Sequence, residues 1–152
     1  MTPRLLRAEE GRLSEALRVI QVAFAEHDGS VDPPSSMHRL TLTDLEAPGK
    51  EVWSLGPEPR AVVVLTPQSG ALYLGKLAVL PEYRGHGLSR ILVEHAAKRA
   101  MQLGLSYLVL ETRIELIDNH AAFAKMGFVK ITETAHPGYG RPTSIKMQRA
   151  LS

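Results

Sequence analysis

Cysteine is absent from the 152 residues of this chain, and this absence limits the available chemistry. Without thiols there are no disulfides, thiolate zinc sites or cysteine nucleophiles, so group transfer is direct or uses an oxygen or nitrogen nucleophile. Long apolar runs are also missing. The largest, such as 61–65 and 77–80, are of strand length, far below the ~20 residues that span a bilayer. We therefore expect no membrane association.

Aromatic residues make up only 5% of the chain, and 18 Lys and Arg are nearly balanced by 16 Asp and Glu. A nucleic-acid-binding domain needs a basic face with aromatic stacking platforms. The isoelectric point of about 9.0 is therefore the only support for this class of protein. The N-terminal residues have no hydrophobic core of signal-peptide length, and we expect a cytoplasmic protein. The length and the hydrophobic share of 44% predict a single domain over residues 1–152.

Hydrophobic periodicity predicts a strand, a helix, a short helix, three meander strands, a helix, a strand, a helix and two final strands. The predicted ranges are 4–7, 9–26, 40–47, 51–55, 60–66, 71–80, 87–103, 105–112, 118–127, 128–134 and 143–151. This order indicates a mixed α/β (α+β) fold, with about four helices covering a largely antiparallel central sheet of roughly six to seven strands.

The segment from Tyr73 to Arg90 contains the most informative pattern in the chain. An apolar strand stopped by Pro81 continues through a glycine-containing loop into an amphipathic helix. Backbone N–H groups at a helix N-terminus bind anions, and Gly85 and Gly87 allow a close approach to them. Positive or protonatable side chains surround this loop, namely Arg84, His86 and Arg90. The segment therefore predicts a site for a pyrophosphate.

The loop sequence Arg84-Gly85-His86-Gly87-Leu88-Ser89 resembles the signature of the GNAT superfamily of N-acetyltransferases. Ser89 departs from the usual Gly or Ala, but it is small and can donate to a phosphate. Two further features strengthen the resemblance, namely Leu77-Ala78-Val79 before the loop and Lys125-Met126-Gly127-Phe128 after it. The resemblance covers most of the chain.

The resemblance implies acetyl-CoA as co-substrate, with no metal. In this family the strand that holds Leu77–Val79 splays from the strand at 105–112, and the pantetheine arm lies in the gap. The implied contacts are the main chain of Leu77 and Val79, with Ala78 between them, and residues Gly85 to Arg90 around the pyrophosphate. The acceptor is then an amine of a small molecule or peptide. The oligomeric state stays open, although family members often form homodimers.

Two positions depart from the family pattern near the second half of the site. The helix before Gly127 often carries a Tyr that protonates the leaving thiolate, but Phe123 holds that register here and cannot donate. The family often has an Asn about seven residues before that Tyr, where this chain has Leu116. Asn119 lies closer to Phe123, so it is either a helix cap or a cofactor contact.

Three residues are candidates for the acid and base that amine acetylation needs. Glu111, near the end of its strand, is a candidate base that acts directly or through water. The alternatives are a solvated strand-end carboxylate or an ion pair with Arg113. His136 has an imidazole side chain, which can serve as a general acid or base, and Tyr139 on the same loop is the most plausible substitute acid. Ordinary turn packing is the alternative for both.

Candidates for the acceptor site are Asp32, Ser35 and Tyr73. Asp32 and Ser35 follow the first helix in a proline-stiffened segment, where a carboxylate suits a cationic amine, although a surface turn is the simpler interpretation. Period-2 alternation predicts that Tyr73 shares a strand face with Leu77 and Val79. Tyr73 then lines the acceptor pocket or packs in the core.

The leading interpretation is an acyl-CoA-dependent N-acetyltransferase with direct attack of the amine in a ternary complex. A binding or regulatory module that keeps the acyl-CoA pocket without chemistry is the alternative, and Phe123 is its best support. A nucleic-acid-binding domain is a weaker third hypothesis.

Overall fold

The computed structural model of the chain describes residues 1–25, 29–34 and 39–151. The strands are Arg4–Leu6 (β1), Glu51–Leu55 (β2), Ala61–Gln68 (β3), Ala71–Val79 (β4), Tyr107–Arg113 (β5), Val129–Thr134 (β6) and Ser144–Ala150 (β7). The α-helices are Leu13–Ala25 (α1), Leu42–Glu46 (α2), Leu88–Gln102 (α3) and Ile117–Lys125 (α4). The predicted mixed α/β fold with a largely antiparallel sheet is therefore confirmed.

The seven strands form one sheet in the order β1-β2-β3-β4-β5-β7-β6. Every neighbouring pair is antiparallel except β4 and β5, which are parallel and pair only from Ala71 opposite Tyr107 to Tyr73 opposite Val109. Beyond Tyr73, β4 continues to Val79 beside β3 alone, while β5 stays paired with β7. The two strands thus separate, as the resemblance implied.

Helices cover the sheet on both faces, and each face has its own apolar core. On one face α3 buries Leu92, Val93 and Ala96 completely, in a cluster with alternate residues of β3 and β4. On the opposite face α1 buries Ala16 and Ile20 against the other set of β3 residues. None of the helices in the described ranges has the length and apolar character needed to cross a membrane.

The first helix is shorter than its periodicity predicts. Residues 8–10 form a 3₁₀ turn that ends at Gly11, whose φ of +71° interrupts the helix, and α1 begins only at Leu13. A left-handed residue breaks the i to i−4 hydrogen-bond ladder, and glycine adopts it without steric cost. The predicted start at residue 9 was therefore wrong by one turn.

Candidate active site

A cleft of about 510 Å³ lies between the unpaired end of β4, the N-terminus of α3 and one face of α4. Every predicted cofactor residue except His86 and Arg90 lines this cleft. The lining residues from β4, the loop and α3 are Leu77, Ala78, Val79, Tyr83, Arg84, Gly85, Gly87, Leu88 and Ser89. Ala23 and Phe24 of α1 also line it. The strand separation therefore opens onto a helix N-terminus, as a long anionic ligand requires.

The N-terminus of α3 fits a phosphate group. Gly87 is its N-cap, with φ of +74° and no side-chain capping bond. The first hydrogen bond of the helix runs from the Ile91 N–H to the Gly87 carbonyl. The N–H groups before Ile91 in the first turn have no partner within the helix. The helix dipole also favours an anion at this N-terminus. A Cβ built on Gly85 or Gly87 meets no atom within 4 Å, so the space beside both residues is open.

The three basic side chains of the loop differ in their surroundings. Arg84 lines the cleft, and its Nη2 lies 3.4 Å from the carbonyl oxygens of both Ala23 and Val79. Its guanidinium thus connects the last turn of α1 to the end of β4. His86 and Arg90 are exposed and do not line the cleft. Their predicted contact with the pyrophosphate stays a prediction.

One face of α4 forms the wall of the cleft opposite β4. Asn119, Ala122, Phe123 and Met126 share this face at three- and four-residue spacing. Sequence reasoning missed Ala122 and Met126, although the same spacing from Asn119 and Phe123 was sufficient to find them. The N-cap of α4 is Leu116 and has no side-chain bond. The capping interpretation of Asn119 was therefore wrong, and its position in the cleft is consistent with cofactor contact.

Phe123 packs against the buried Phe128 in an edge-to-face pair with ring centroids 5.8 Å apart. Aromatic pairs of this kind contribute about 1 kcal/mol beyond area burial. The ring is therefore held by packing, and it has no hydroxyl to donate to the cleft.

A β-bulge at Gly75 changes the predicted direction of Tyr73. Val64 pairs with Lys76 and Leu65 with Leu74, which leaves Gly75 as an extra residue in β4. Leu77 and Val79 pack on the α3 side with Leu74, so Tyr73 lies on the opposite face. The prediction that Tyr73 shares a face with Leu77 was wrong, because a one-residue bulge reverses the alternation.

The bulge brings Tyr73 to the same face as Glu111. Tyr73 pairs with Val109, and Glu111 is two residues further along β5, so the two side chains point to one side of the sheet. Burial and the charge of Glu111 raise the pKa of the half-buried Tyr73. Glu111 is exposed, and among the described residues it has no salt bridge, so the ion pair with Arg113 is not formed.

Asp32 joins three loops on the side of the acceptor candidates. Its carboxylate accepts from the Tyr139 hydroxyl at 2.7 Å and from Arg141 at 2.8 Å, and its N–H donates to Glu115 at 2.9 Å. Arg113 donates to the carbonyl of Pro33. We call the group Asp32, Tyr139 and Arg141 the loop clasp. The carboxylate predicted to bind a cationic amine already has two donors from the chain.

The loop clasp also changes the interpretation of Tyr139. Its hydroxyl donates to Asp32, which raises its pKa, and Tyr139 does not line the cleft. Because this hydroxyl is engaged with Asp32, the structure does not favour Tyr139 as the acid for the thiolate, although its catalytic role stays a prediction. Ser35 lies outside the described residues.

His136 is held by its own loop. Its N–H donates to the buried Thr143 hydroxyl at 2.9 Å, and its Nδ1 also contacts that hydroxyl. This is the turn packing that was the alternative to catalysis. Within the described ranges, no cluster of three His, Asp or Glu side chains is arranged to hold a metal ion.

Comparison with known proteins agrees with this geometry. A model of the acetyltransferase (GNAT) family matches residues 17–128. No curated protein matches the chain in sequence. The chain belongs to the GNAT family of acetyltransferases.

Solved structures show the same fold at low sequence identity. The ribosomal-protein-S18-alanine N-acetyltransferase of Escherichia coli is 22% identical with a TM-score of 0.73, over 99% of this chain and 95% of that one. The PaiA N-acetyltransferase of Thermoplasma acidophilum, in complex with coenzyme A, is 13% identical with a TM-score of 0.75, over 99% of both chains. The NatC complex bound to Gag peptide and CoA contains a chain 21% identical, with a TM-score of 0.68 over 100% of both chains.

Proposed function

We propose that the protein transfers the acetyl group of acetyl-CoA to a primary amine of a small molecule or peptide, by direct attack in a ternary complex. The cleft is the observation that supports this most directly. It joins a helix N-terminus, whose first N–H groups have no partner within the helix, to a strand edge that is unpaired beyond Tyr73. The first feature suits a pyrophosphate, and the second suits the amide groups of a pantetheine arm.

We expect acetyl-CoA to lie in one direction along β4. With the pyrophosphate at Gly87, the arm runs back along β4 past Val79 and Leu77 towards Gly75. The six-residue rise from Tyr73 to Val79 is about 20 Å, comparable to an extended pantetheine arm. The thioester is then expected near the point where β4 and β5 separate, beside Glu111. Glu111 takes the role of base, directly or through water, because it is exposed and carries no competing ion pair among the described residues.

Phe123 supports a second candidate, an acyl-CoA-binding module without catalytic activity. Its ring fills the position from which family members often donate a proton, and it is fixed against Phe128. This candidate keeps the same cleft and ligand and differs only in turnover.

Two measurements distinguish these candidates. Thermal shift with acetyl-CoA tests the cleft, and thiol release then tests turnover across amino acids, polyamines and peptides with a free N-terminus. Peptides belong in this panel because two structural neighbours are named for a protein alanine substrate and a bound peptide. N-acetylated peptides serve as matched controls. Stabilisation without thiol release on any amine supports the binding module, and no stabilisation contradicts both candidates.

A further inference from the structure

The chain contains four tyrosines, and the structure gives each one a different environment. Tyr139 donates to Asp32 in the loop clasp. Tyr107 is 39% exposed at the start of β5. Tyr83 lies beside the glycine loop with the Arg60 guanidinium 4.7 Å from its ring centroid, at the pyrophosphate end of the cleft. Tyr73 alone lies where β4 and β5 separate.

The ring of Tyr73 extends towards this separation. A Cβ built on Gly75 lies 3.4 Å from Cε1 of Tyr73, so the ring covers the bulge residue. Tyr73 is the last β4 residue paired with β5, and the strand edge is open beyond it, with Gly75 two residues further along. The ring therefore lies along β4 beside Gly75, two residues before the lining of the cleft begins at Leu77.

The acidic partner of Tyr73 is also in place. Burial, and after it the charge of Glu111 on β5, raises the pKa of Tyr73. A hydroxyl that stays protonated is a donor, and a neighbouring carboxylate that receives a proton can return it.

We propose that Tyr73 is the proton donor to the leaving thiolate, in place of the tyrosine that Phe123 replaces. This inference rests on the proposed acetyl transfer. The amine nitrogen forms a bond to the thioester carbonyl carbon, and one N–H proton passes to Glu111. The C–S bond breaks, and the sulfur takes the Tyr73 hydroxyl proton. Glu111 then returns its proton to the phenolate, so the enzyme is restored with the amide and free CoA as products.

The test begins with Tyr73→Phe, which removes one oxygen and keeps the ring over Gly75. We expect kcat to fall about 100-fold or more, with acetyl-CoA affinity unchanged within about twofold. Tyr107→Phe is the matched control and should change kcat less than threefold, since Tyr107 is 39% exposed at the start of β5 and does not line the cleft. A Tyr73→Phe enzyme with kcat within threefold of wild type overturns the proposal.

A second measurement separates proton donation from a structural role. Fluorotyrosine incorporated at position 73 keeps the shape and the hydroxyl but lowers the phenol pKa. A general acid must be protonated, so the loss of kcat at high pH should begin at lower pH in the fluorinated enzyme. An unmoved pH profile overturns the proposal, even if Tyr73→Phe fails to fold.

The outcomes for the wild-type enzyme distinguish this inference from the function on which it rests. If the wild type binds acetyl-CoA and releases thiol, an unchanged kcat in Tyr73→Phe contradicts only the proton-donor role of Tyr73 and leaves the acetyl transfer in place. If the wild type releases no thiol with any amine, the acetyl transfer fails, and the donor role fails with it.

Discussion

The two ends of α3 offer a matched pair of glycines for testing the phosphate site. Gly87 at the N-terminus has φ of +74° and Gly104 just beyond the C-terminus has φ of +73°, and a Cβ on either meets no atom within 4 Å. The intervening helix is about 22 Å long. Glu at either position therefore brings the same backbone strain of about 1–2 kcal/mol and the same charge. Only Gly87 lies in the cleft.

The expected loss of acetyl-CoA affinity in Gly87→Glu follows from Coulomb's law. A carboxylate about 5 Å from one phosphate charge is repelled by about 3 kcal/mol at an effective dielectric constant of ~20. That energy weakens binding by about two orders of magnitude for each phosphate charge at that distance. Gly87→Ala measures the strain alone and should weaken binding much less.

The two Glu variants should rank in opposite orders for acetyl-CoA affinity and for melting temperature. Isothermal titration calorimetry measures the affinity, and thermal unfolding without acetyl-CoA measures the melting temperature. Glu is favourable at a helix N-terminus and unfavourable at a C-terminus by about 0.3–1 kcal/mol, so Gly104→Glu should melt at the lower temperature. It should nevertheless bind acetyl-CoA like the wild type. A Gly87→Glu dissociation constant within threefold of wild type would refute the pyrophosphate assignment.

Three further predictions concern the wall of the cleft, the core and pH dependence. Phe123→Tyr introduces a phenol into the cleft and, in a Tyr73→Phe background, should recover at least about tenfold of the lost kcat. Leu92→Ala removes a fully buried side chain under α3 and should lower the free energy of unfolding in urea by about 2–5 kcal/mol. His95 packs on Trp53 with ring centroids 4.1 Å apart, and burial lowers its pKa from 6.5. As pH falls below about 6.5, the unfolded state binds the proton before the folded state does. The free energy of unfolding of the wild type should therefore fall with pH, and His95→Gln should reduce the slope of this dependence.

Controls and contrary outcomes differ among these predictions. Phe123→Leu is the control for cleft packing and should recover nothing; equal recovery would mean that proton donation is not involved. Leu103→Ala, at a 39% exposed position, should cost far less than Leu92→Ala. For His95, Lys98 adds to the lowering of the pKa and Glu51 opposes it. An unchanged stability slope between roughly pH 7 and 5 in His95→Gln contradicts the assignment.

The strands and the loop were predictable because their signals are local. Residues 51–55 were predicted as a strand with the bounds that the structure has, since turn residues stand on both sides. The face of Tyr73 was not predictable, because nothing in an alternating pattern marks Gly75 as an extra residue opposite Val64 and Leu65. A bulge is set by how two strands pair, and that information is not in either strand alone.

In the candidate site too, local features were predictable from the sequence and long-range contacts were not. The glycine loop was found from sequence because its residues are contiguous. The contact between Asp32 and Tyr139 joins positions 107 residues apart, and no local pattern predicts it. Glu115 was not considered for the same reason, although its carboxylate accepts from the N–H of Asp32.

The short pairing of β4 with β5 makes the sheet two half-sheets joined over three residue pairs. The β4 amides beyond Tyr73 that do not bond to β3 lack a strand partner, so they should exchange with deuterium quickly in the free protein. A pantetheine arm bonded to that edge would act as a missing strand between the halves. Acetyl-CoA would then slow exchange on β4 and bind the half-sheets into one cooperative unit, so that the substrate serves as a structural element of the fold while it is bound.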